Sequence, residues 1–280
     1  MNKGIIPINK PKDWTSFDVV NKIKYKLKPQ KVGHLGTLDP MATGVLLVTV
    51  GKATKLFDLM QEKTKTYIAK FEFGYTTNTL DITGEILEKN SNIPTLSEIE
   101  MILPKFIGKI SQVPPKFSAK SINGHRAYDL ARQNIDFELK PKIVEVYDIK
   151  IISYQQGVLE LEIVCGSGTY IRSIGRDIAT ELNSLATMTE LVRTKVGAFD
   201  LAKCAVIDDI DKIQDFICPI KEFLSYETMN VSSQIHNKLL NGQIIETELN
   251  DGLYLLEDDK DVVAIVKIQE NKAKMSVFLG

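Results

Sequence analysis

The chain has 280 residues, of which 44% are hydrophobic and 25% are charged, a composition typical of a globular protein. This length allows one large domain, or one large and one small domain. The formal net charge of −1 excludes a polybasic tail protein and, over the whole chain, gives no indication of nucleic-acid binding.

The hydrophobic pattern predicts strands in pairs, with helices between them. Residues 4–8 are predicted to form an apolar strand, and Thr15 or Ser16 caps a helix that ends at Pro29. The next predicted elements are, in chain order, a loop at 31–43, a buried strand at 45–50, a helix at 54–60, a strand at 66–76, a helix at 95–105, a strand pair at 143–153 and 158–165, a helix at 169–183 and a strand at 188–199.

These elements lack a regular βαβ alternation, so we predict an α+β fold with a mixed, mainly antiparallel sheet flanked by helices. Residues 200–228 are acidic and predicted to be helical. From Met229 onward, short apolar runs alternate with turn signals, which predicts a small β-rich domain. The predicted domains are therefore 1–228 and 229–280.

The charge is distributed unevenly along the chain. Residues 1–65 contain 12 lysines and 5 acidic residues, a net of +7, whereas residues 200–280 contain 8 basic and 15 acidic residues, a net of −7. Residues 105–142 carry 8 basic and 3 acidic residues, a net of +5. Attraction to phosphates depends on the local field and not on the net charge, so two regions are basic enough to attract phosphates. The alternative interpretation of the basic residues is that they cover a solvated, lysine-rich helix face.

The cysteines and histidines give no indication of a metal site. The three cysteines never stand at C-x-x-C spacing, and the histidines are isolated, so we expect neither a disulfide framework nor bound metal. The first residues lack the apolar stretch of a signal peptide, and no segment approaches the roughly 18 apolar residues of a membrane span. We expect a cytoplasmic protein that makes no membrane contact.

The segment 33–44, GHLGTLDPMATG, gives the strongest indication of chemistry. Its glycines permit backbone geometry that other residues avoid, and Pro40 restricts the conformation of Asp39. For a bare Asp-Pro dipeptide, a turn capped by its own aspartate would be the better interpretation. The whole segment, placed between a basic helix and a buried strand, instead favours a catalytic Asp39.

This segment closely resembles the central motif of the TruB family, the tRNA pseudouridine-55 synthases. Four other segments resemble motifs of that family in the same order: NKP at 9–11 with TS at 15–16, KTY at 65–67, VPPKFSA at 113–119 with GHRAY at 124–128, and GTYIRS at 168–173. The resemblance spans residues 4 to about 200. It implies the pseudouridine synthase fold, and the terminal domain resembles a reduced PUA domain, an RNA-binding module.

The resemblance also implies the reaction: uridine 55 in the T-loop of tRNA, flipped out of its stack, becomes pseudouridine. It implies that Asp39 is catalytic, that Arg172 pairs with it, and that Tyr67 packs on the target base. Further substrate contacts are implied for His34, Tyr170, Leu191, Lys10 and Pro11, and RNA contacts for Lys31, Lys116, Lys120 and Arg126, the last three within an RNA-gripping insertion at about 105–142. We expect the tRNA T-arm as partner, no cofactor, and a monomer.

Each implied role has a structural alternative. Tyr67 and Leu191 are residue types common in the core of a strand, and Tyr170 could simply start a helix. Arg172 could pair with a carboxylate on its own helix, Asp177 or Glu181, and His34 could be an ordinary loop histidine. The ordered motifs favour function for all of them. The chain departs from the family at Asp13, where a glycine is usual, at Met41, where Leu is commoner, and at Phe117, where Tyr is frequent.

Two other functions fit parts of the sequence. The basic regions would suffice for a tRNA-folding protein that grips the T-loop without chemistry, but the complete set of Asp39, Tyr67, Tyr170 and Arg172 argues against that as the sole role. The second alternative is a guide-RNA-dependent synthase of the related archaeal and eukaryotic type. Against it, the sequence offers no extended basic tail for the assembly of partners.

Overall fold

The structure, a computed structural model, describes residues 3–28, 31–60, 64–118, 120–122, 124–133, 135–259 and 261–280. The strands are β1 (Gly4–Lys10), β2 (Val32–Leu35), β3 (Thr43–Val50), β4 (Lys65–Phe73), β5 (Tyr75–Thr77), β6 (Ile86–Lys89), β7 (Gly108–Gln112), β8 (Ser121–Ile122), β9 (His125–Arg126), β10 (Lys142–Gln155), β11 (Val158–Cys165), β12 (Ala186–Val196), β13 (Phe199–Asp200), β14 (Ala205–Val206), β15 (Glu227–Thr228), β16 (Ile245–Glu246), β17 (Gly252–Asp258), β18 (Asp261–Gln269) and β19 (Lys272–Phe278). The α-helices are α1 (Ser16–Lys26), α2 (Phe57–Met60), α3 (Leu96–Ile102), α4 (Ala127–Arg132), α5 (Ile171–Glu181), α6 (Ile220–Phe223) and α7 (Ser233–Leu240).

The contacts divide the chain into two compact units. The first contains Met1–Pro40, Gly44–Glu62 and Gly197–Gly280, and the second contains Met41–Thr43 and Lys63–Val196. The terminal β-rich segment therefore belongs to the same compact unit as the N-terminal residues. The domain boundary after residue 228 stays a prediction.

In the first unit, β1 pairs antiparallel with β3 and parallel with the short β14. Both β1 and β3 are mainly apolar and almost wholly buried, and burial was predicted for the strand at 45–50. The apolar stripe of α1 is buried as well. Strand β2 pairs antiparallel with β3, from Val32 opposite Val50 to Leu35 opposite Leu47. The prediction of a continuous loop at 31–43 was wrong here. The glycines of this segment are typical of a loop, but residues 32–35 hydrogen-bond to the backbone of β3 and form a strand.

The terminal segment forms a sheet of its own, in the order β15-β17-β18-β19-β16. From Met229 onward the sequence predicts short strands separated by turns, but helix α7 also lies in this segment. The Ser232 hydroxyl accepts a hydrogen bond from the Ile235 amide (3.5 Å) and so caps this helix, and Leu239 packs into the core of the sheet. Since α7 spans only 8 residues, its periodicity gave little signal against the flanking turns.

The prediction that residues 200–228 are helical is confirmed only in part. They form 3-10 helices at Leu201–Lys203 and Ile207–Phe216, the single turn α6, and strand β14. Asp209 interrupts the longer 3-10 helix with non-helical dihedral angles. Aspartate favours caps and turns over helix interiors because its carboxylate competes for backbone amides, which explains why this acidic run does not form a regular α-helix.

The second unit contains an antiparallel sheet in the order β12-β4-β11-β10-β7. Strand β4 alternates strictly between buried and half-buried residues, as expected for a strand with one face in the core. Helix α5 approaches this buried face so closely that a Cβ atom on Gly175 would lie 2.2 Å from a ring carbon of Phe71. The glycine therefore sets the distance between helix and sheet.

Three element boundaries differ from the predictions for local reasons. The helix predicted at 54–60 is a 3-10 helix, Gly51–Leu56, followed by the short α2, and the one predicted at 95–105 is α3 followed by a 3-10 turn with Pro104 in its first positions. The strand predicted at 66–76 ends at Phe73, because Gly74 takes a φ of 105°, outside the extended region.

Candidate active site

Asp39 lies in the loop between β2 and β3, and the residues on both sides of it are anchored. The buried hydroxyl of Ser16 accepts a hydrogen bond from the Leu38 amide (2.9 Å) and donates one to the Leu38 carbonyl (3.2 Å). The Pro40 carbonyl accepts hydrogen bonds from the Asp13 amide (2.8 Å) and from Lys10 Nζ (3.0 Å). Asp39 itself is half-buried. Such anchoring fixes the loop backbone and so limits the positions open to the carboxylate.

Lys10 is fully buried at the end of β1. Its ammonium donates to the carbonyls of Pro11 (2.8 Å) and Trp14 (2.6 Å) as well as to that of Pro40. These contacts join the opening loop to the Asp39 loop, which is a structural reason for lysine at this position. A substrate contact by Lys10, or by the half-buried Pro11, stays a prediction.

Asp13 takes the left-handed conformation, with a φ of 65°. This explains why glycine is the residue usual at this position of the resembling motif, since only glycine adopts such a φ without strain. Asp13 nevertheless adopts this turn, and its amide donates a hydrogen bond to the Pro40 carbonyl.

In the second unit, Tyr67 and Leu191 lie on the same buried sheet face, at 7% and 6% exposure. Tyr67, on β4, is opposite Arg193 of β12 and Ile163 of β11, while Leu191 is opposite Ala69 of β4. Both side chains therefore lie on one surface, and their contacts with the substrate stay predictions.

Two further cations lie on this face: Arg193, which no motif indicated in the sequence, and Lys65, the first residue of the KTY motif, to which no role was assigned. Arg193 is 1% exposed and Lys65 is 9% exposed. Burial, together with the charge of Arg193, lowers the pKa of Lys65 to about 8, and burial raises the pKa of the neighbouring Cys165 thiol to about 11. Lys65 Nζ also lies 3.4 Å from the Ser167 hydroxyl, in the loop that leads to Tyr170.

Tyr170 is the N-cap residue of α5, and its backbone is held by one buried amide side chain. Gln112 accepts a hydrogen bond from the Tyr170 amide (2.8 Å) and donates one to the Tyr170 carbonyl (3.2 Å). Gln112 is 1% exposed, and no motif indicated it in the sequence. It fixes the backbone at the start of α5, where the half-buried Tyr170 side chain is attached.

Arg172 is 6% exposed and is held by groups from two other segments. Its guanidinium donates to the carbonyls of Thr79 (2.8 Å) and Phe117 (3.0 Å) and forms an ion pair with Asp81 (3.4 Å). The alternative partners on its own helix are engaged elsewhere, since Asp177 pairs with Arg176 and Glu181 with Lys105. The pairing of Arg172 with Asp39 stays a prediction.

Asp81 itself is 3% exposed and tightly hydrogen-bonded. One carboxylate oxygen accepts from the Thr79 hydroxyl (2.8 Å) and from the Thr83 amide (3.0 Å) and hydroxyl (2.5 Å). The turn is closed by Gly84, where a Cβ atom would lie 2.3 Å from the Thr79 hydroxyl. The pattern TLDITG at 79–84, an aspartate between two threonines and before a glycine, was the available sequence signal for this residue.

Similarity to known proteins identifies the family of the chain. The model of a family described as "TruB family pseudouridylate synthase (N terminal domain)" matches residues 24–171, more than half of the chain. The chain belongs to the TruB family.

Curated members of the TruB family match along almost the entire chain. The tRNA pseudouridine synthase B of Borreliella afzelii is 40% identical and that of Mycoplasma mobile 39%; each alignment covers 99% of this chain, and they cover 100% and 95% of those proteins. The chain is therefore a pseudouridine synthase, and the family predicted from the motifs is confirmed.

Solved structures confirm the predicted fold. The crystal structure of a Cbf5-Nop10-Gar1 complex contains a chain that matches with a TM-score of 0.75 at 22% identity, covering 100% of this chain and 84% of that one. The archaeal box H/ACA Nop10-Cbf5 complex matches with a TM-score of 0.73 at 21% identity, covering 99% and 85%. At this level of identity the likeness concerns the fold alone.

The TruB resemblance assigns four cationic residues to RNA binding: Lys31, Lys116, Lys120 and Arg126. Lys31 is exposed at the start of β2, and Lys116, also exposed, pairs with Asp136 (3.2 Å). Lys120 Nζ donates to the Lys140 carbonyl (3.3 Å). The side chain of Arg126 is outside the part that the structure describes. His34 is half-buried on β2, opposite Val48 of β3.

Two observations concern the described residues as a whole. Within them, no three or more His, Cys, Asp or Glu side chains come together as a set that could hold a metal ion. None of the helices in the described segments has the length and apolar character needed to cross a membrane.

Proposed function

We propose that this TruB family member isomerises uridine 55 in the T-loop of tRNA to pseudouridine, with Asp39 acting on a flipped-out uridine. The observation that carries the proposal is the anchored Asp39 loop, in a chain 39–40% identical to relatives named tRNA pseudouridine synthase B. The target nucleotide and the role of Asp39 come from the five ordered motifs.

The reaction requires no co-reactant. The bond between N1 of uracil and C1′ of ribose breaks, a bond between C5 and C1′ forms, and the proton on C5 is replaced by one on N1, so atoms and electrons balance within the substrate. What the reaction needs is an oriented carboxylate and a base held clear of the RNA stack. The anchors at Leu38 and Pro40 are suited to the first requirement.

Extruding a base from folded RNA costs a few kcal/mol, and stacking on an aromatic ring recovers about 1–3 kcal/mol. Tyr67 and Tyr170 are the aromatic residues assigned to this role. Arg172, positioned by Asp81 and two carbonyls, is assigned to pair with Asp39. A guanidinium beside a carboxylate favours its ionised form and fixes its direction, which suits a nucleophile.

The proposal is tested by incubating the protein with unmodified tRNA and mapping pseudouridine at single-nucleotide resolution. We expect product at position 55 alone with the wild-type chain, none with Asp39→Asn, and unchanged RNA binding by that variant. Asp58→Asn is the matched control, because Asp58 is an exposed aspartate on α2 in the same unit. Undiminished product with Asp39→Asn, or product at another uridine, would contradict the proposal.

A short T-arm hairpin is the second substrate of this test. Product on the hairpin with the isolated chain would exclude a requirement for a guide RNA or partner proteins. Absence of product on the hairpin and on full-length tRNA would contradict the proposed function as a whole.

A further inference from the structure

Two lysines of the first unit lie over a single phenylalanine ring at the end of β19. Lys52 Nζ lies 4.9 Å from the centroid of the Phe278 ring and Lys55 Nζ lies 5.9 Å from it. Lys55 Nζ also donates a hydrogen bond to the Phe278 carbonyl (3.0 Å). The ring remains 39% exposed. We call Lys52, Lys55 and Phe278 the Phe278 patch.

The lysines of this patch are positioned without being neutralised. Within the described segments, neither Lys52 nor Lys55 forms an ion pair with a carboxylate, whereas Lys26 pairs with Asp211 and Lys221 with Glu257. The face of an aromatic ring attracts an ammonium group but carries no net charge. No carboxylate of these segments therefore offsets the charge of either lysine, and both side chains have a preferred position at the surface.

The patch adjoins the strand pair that carries His34. The lysines lie in the 3-10 helix Gly51–Leu56, which follows β3 directly, and the Gly51 amide donates to the carbonyl of the exposed Lys31 (2.7 Å). A Cβ atom on Gly33 of β2 would lie 3.8 Å from the Thr54 side chain, so β2 and this 3-10 helix are in contact. An RNA held at Lys31 and His34 would therefore lie beside the patch.

We propose that the Phe278 patch binds phosphates of the substrate RNA outside the loop that carries the target uridine, with Phe278 as the positioning residue for the two lysines. The inference rests on the proposed function for the identity of the RNA. A free lysine side chain loses rotamer freedom when it binds a phosphate, and a ring that already restricts it reduces that loss. The terminal segment is acidic, so it would assist RNA binding through the Phe278 ring, which positions the two lysines, and not through a positive charge of its own.

The first test measures affinity for an unmodified tRNA transcript at a series of salt concentrations with the full-length protein. We expect Lys52→Gln with Lys55→Gln to flatten the slope of log affinity against log salt by about one to two. Lys272→Gln with Lys274→Gln is the matched control, because both lysines are exposed on β19 itself, and we expect it to leave the slope unchanged. A wild-type slope in the patch variant would overturn the inference.

The second test separates positioning by the ring from direct contact. Phe278→Leu should weaken binding about 2- to 5-fold in the wild-type background and have no effect in the Lys52→Gln, Lys55→Gln background. Equal weakening in both backgrounds would show that the ring acts independently of the lysines and would overturn its positioning role.

Product formation distinguishes failure of this inference from failure of the proposed function. At saturating tRNA the patch variant should form pseudouridine at the wild-type rate, because its lysines are outside the reacting site. A wild-type protein that binds tRNA with the expected slopes but forms no pseudouridine would contradict the proposed function and leave the patch supported as an RNA contact. A patch variant with a wild-type slope and full activity would overturn the inference about the patch and leave the proposed function supported.

Discussion

At the scale of single residues, Arg172 illustrates how a buried charge is given a fixed direction. Two backbone carbonyls and the Asp81 carboxylate surround its guanidinium, and two threonines fix Asp81 in turn. Removing one member of a buried pair leaves an uncompensated charge, which typically costs about 3–5 kcal/mol. Asp81 is thus a positioning residue, and its effect on chemistry would pass through Arg172.

Asp81→Asn should keep the shape of the turn but remove its charge. We expect the single-turnover rate of pseudouridine formation to fall roughly tenfold or more, because Arg172 loses its anchor, while RNA affinity changes little. Asp177→Asn removes a less buried carboxylate from α5 and serves as the control. A wild-type rate in Asp81→Asn would show that the ion pair has no role in the chemistry.

Lys65 is a second buried charge, and its effect on stability depends on pH. Its pKa of about 8 in the folded protein is below the ordinary value of 10.5. Between these two values the unfolded chain binds more protons, so the free energy of unfolding gains a contribution that rises with pH. Below pH 8 the burial of this charge opposes folding by roughly 3 kcal/mol.

Lys65→Met should therefore be more stable than the wild type at neutral pH, and the difference should shrink as the pH rises from about 8 to about 10. Urea unfolding of both proteins at several pH values measures this. Lys195→Met, at an exposed lysine of β12, is the control and should show no such trend. A difference that does not change with pH would contradict the shifted pKa.

At the scale of elements, the distance between α5 and the sheet is set by Gly175 and Phe71. Helix α5 begins at the residue after Tyr170 and carries Arg172, so a displacement of the helix would move both side chains. Gly175→Ala places a methyl group against the ring of Phe71. Overpacking of this kind costs about 1–3 kcal/mol, more than the roughly 1 kcal/mol that alanine contributes to helix propensity.

We expect Gly175→Ala to lower the free energy of unfolding and to reduce activity. Phe71→Leu, introduced into the same variant, should restore part of both by making room for the methyl group. Chemical denaturation and a single-turnover assay of the four combinations measure this coupling. Additive losses in the double variant would show that the two residues do not compete for the same space.

At the scale of the whole molecule, charge is divided by region. The insertion at 105–142 has a net charge of +5 and the terminal residues 200–280 a net charge of −7. In the insertion, the exposed pair of Lys116 with Asp136 leaves the lysine accessible, because surface ion pairs are weak in water. The net charge of −1 is thus the sum of segments with opposite net charges.

Lys116→Gln with Lys120→Gln should flatten the salt dependence of tRNA affinity by about one to two, because two cations that are assigned to phosphates are lost. Lys238→Gln with Lys267→Gln, in the acidic terminal segment, is the matched control and should not alter the slope. Equal slopes in all three proteins would contradict an RNA-gripping role for the insertion.

The sequence by itself determined the family, the strands and helices with strong periodicity, and the residues that carry motifs. The alternation along β4 and the apolar runs of β1 and β3 are local properties, so they could be predicted without knowledge of the partner strands. Strand β2 and helix α7 are short, and their form depends on pairing or packing with distant residues. For that reason no local pattern revealed them.

Tertiary structure alone decided which side chains support the motif residues. Asp81 and Gln112 are far in sequence from Arg172 and Tyr170, and only folding brings their polar groups within hydrogen-bonding distance. The same holds for Phe278 and the two lysines above it. A motif records residues that are adjacent in the chain, whereas burial and charge compensation depend on neighbours in space. The sequence therefore indicated the chemistry, and the fold decided which residues position it.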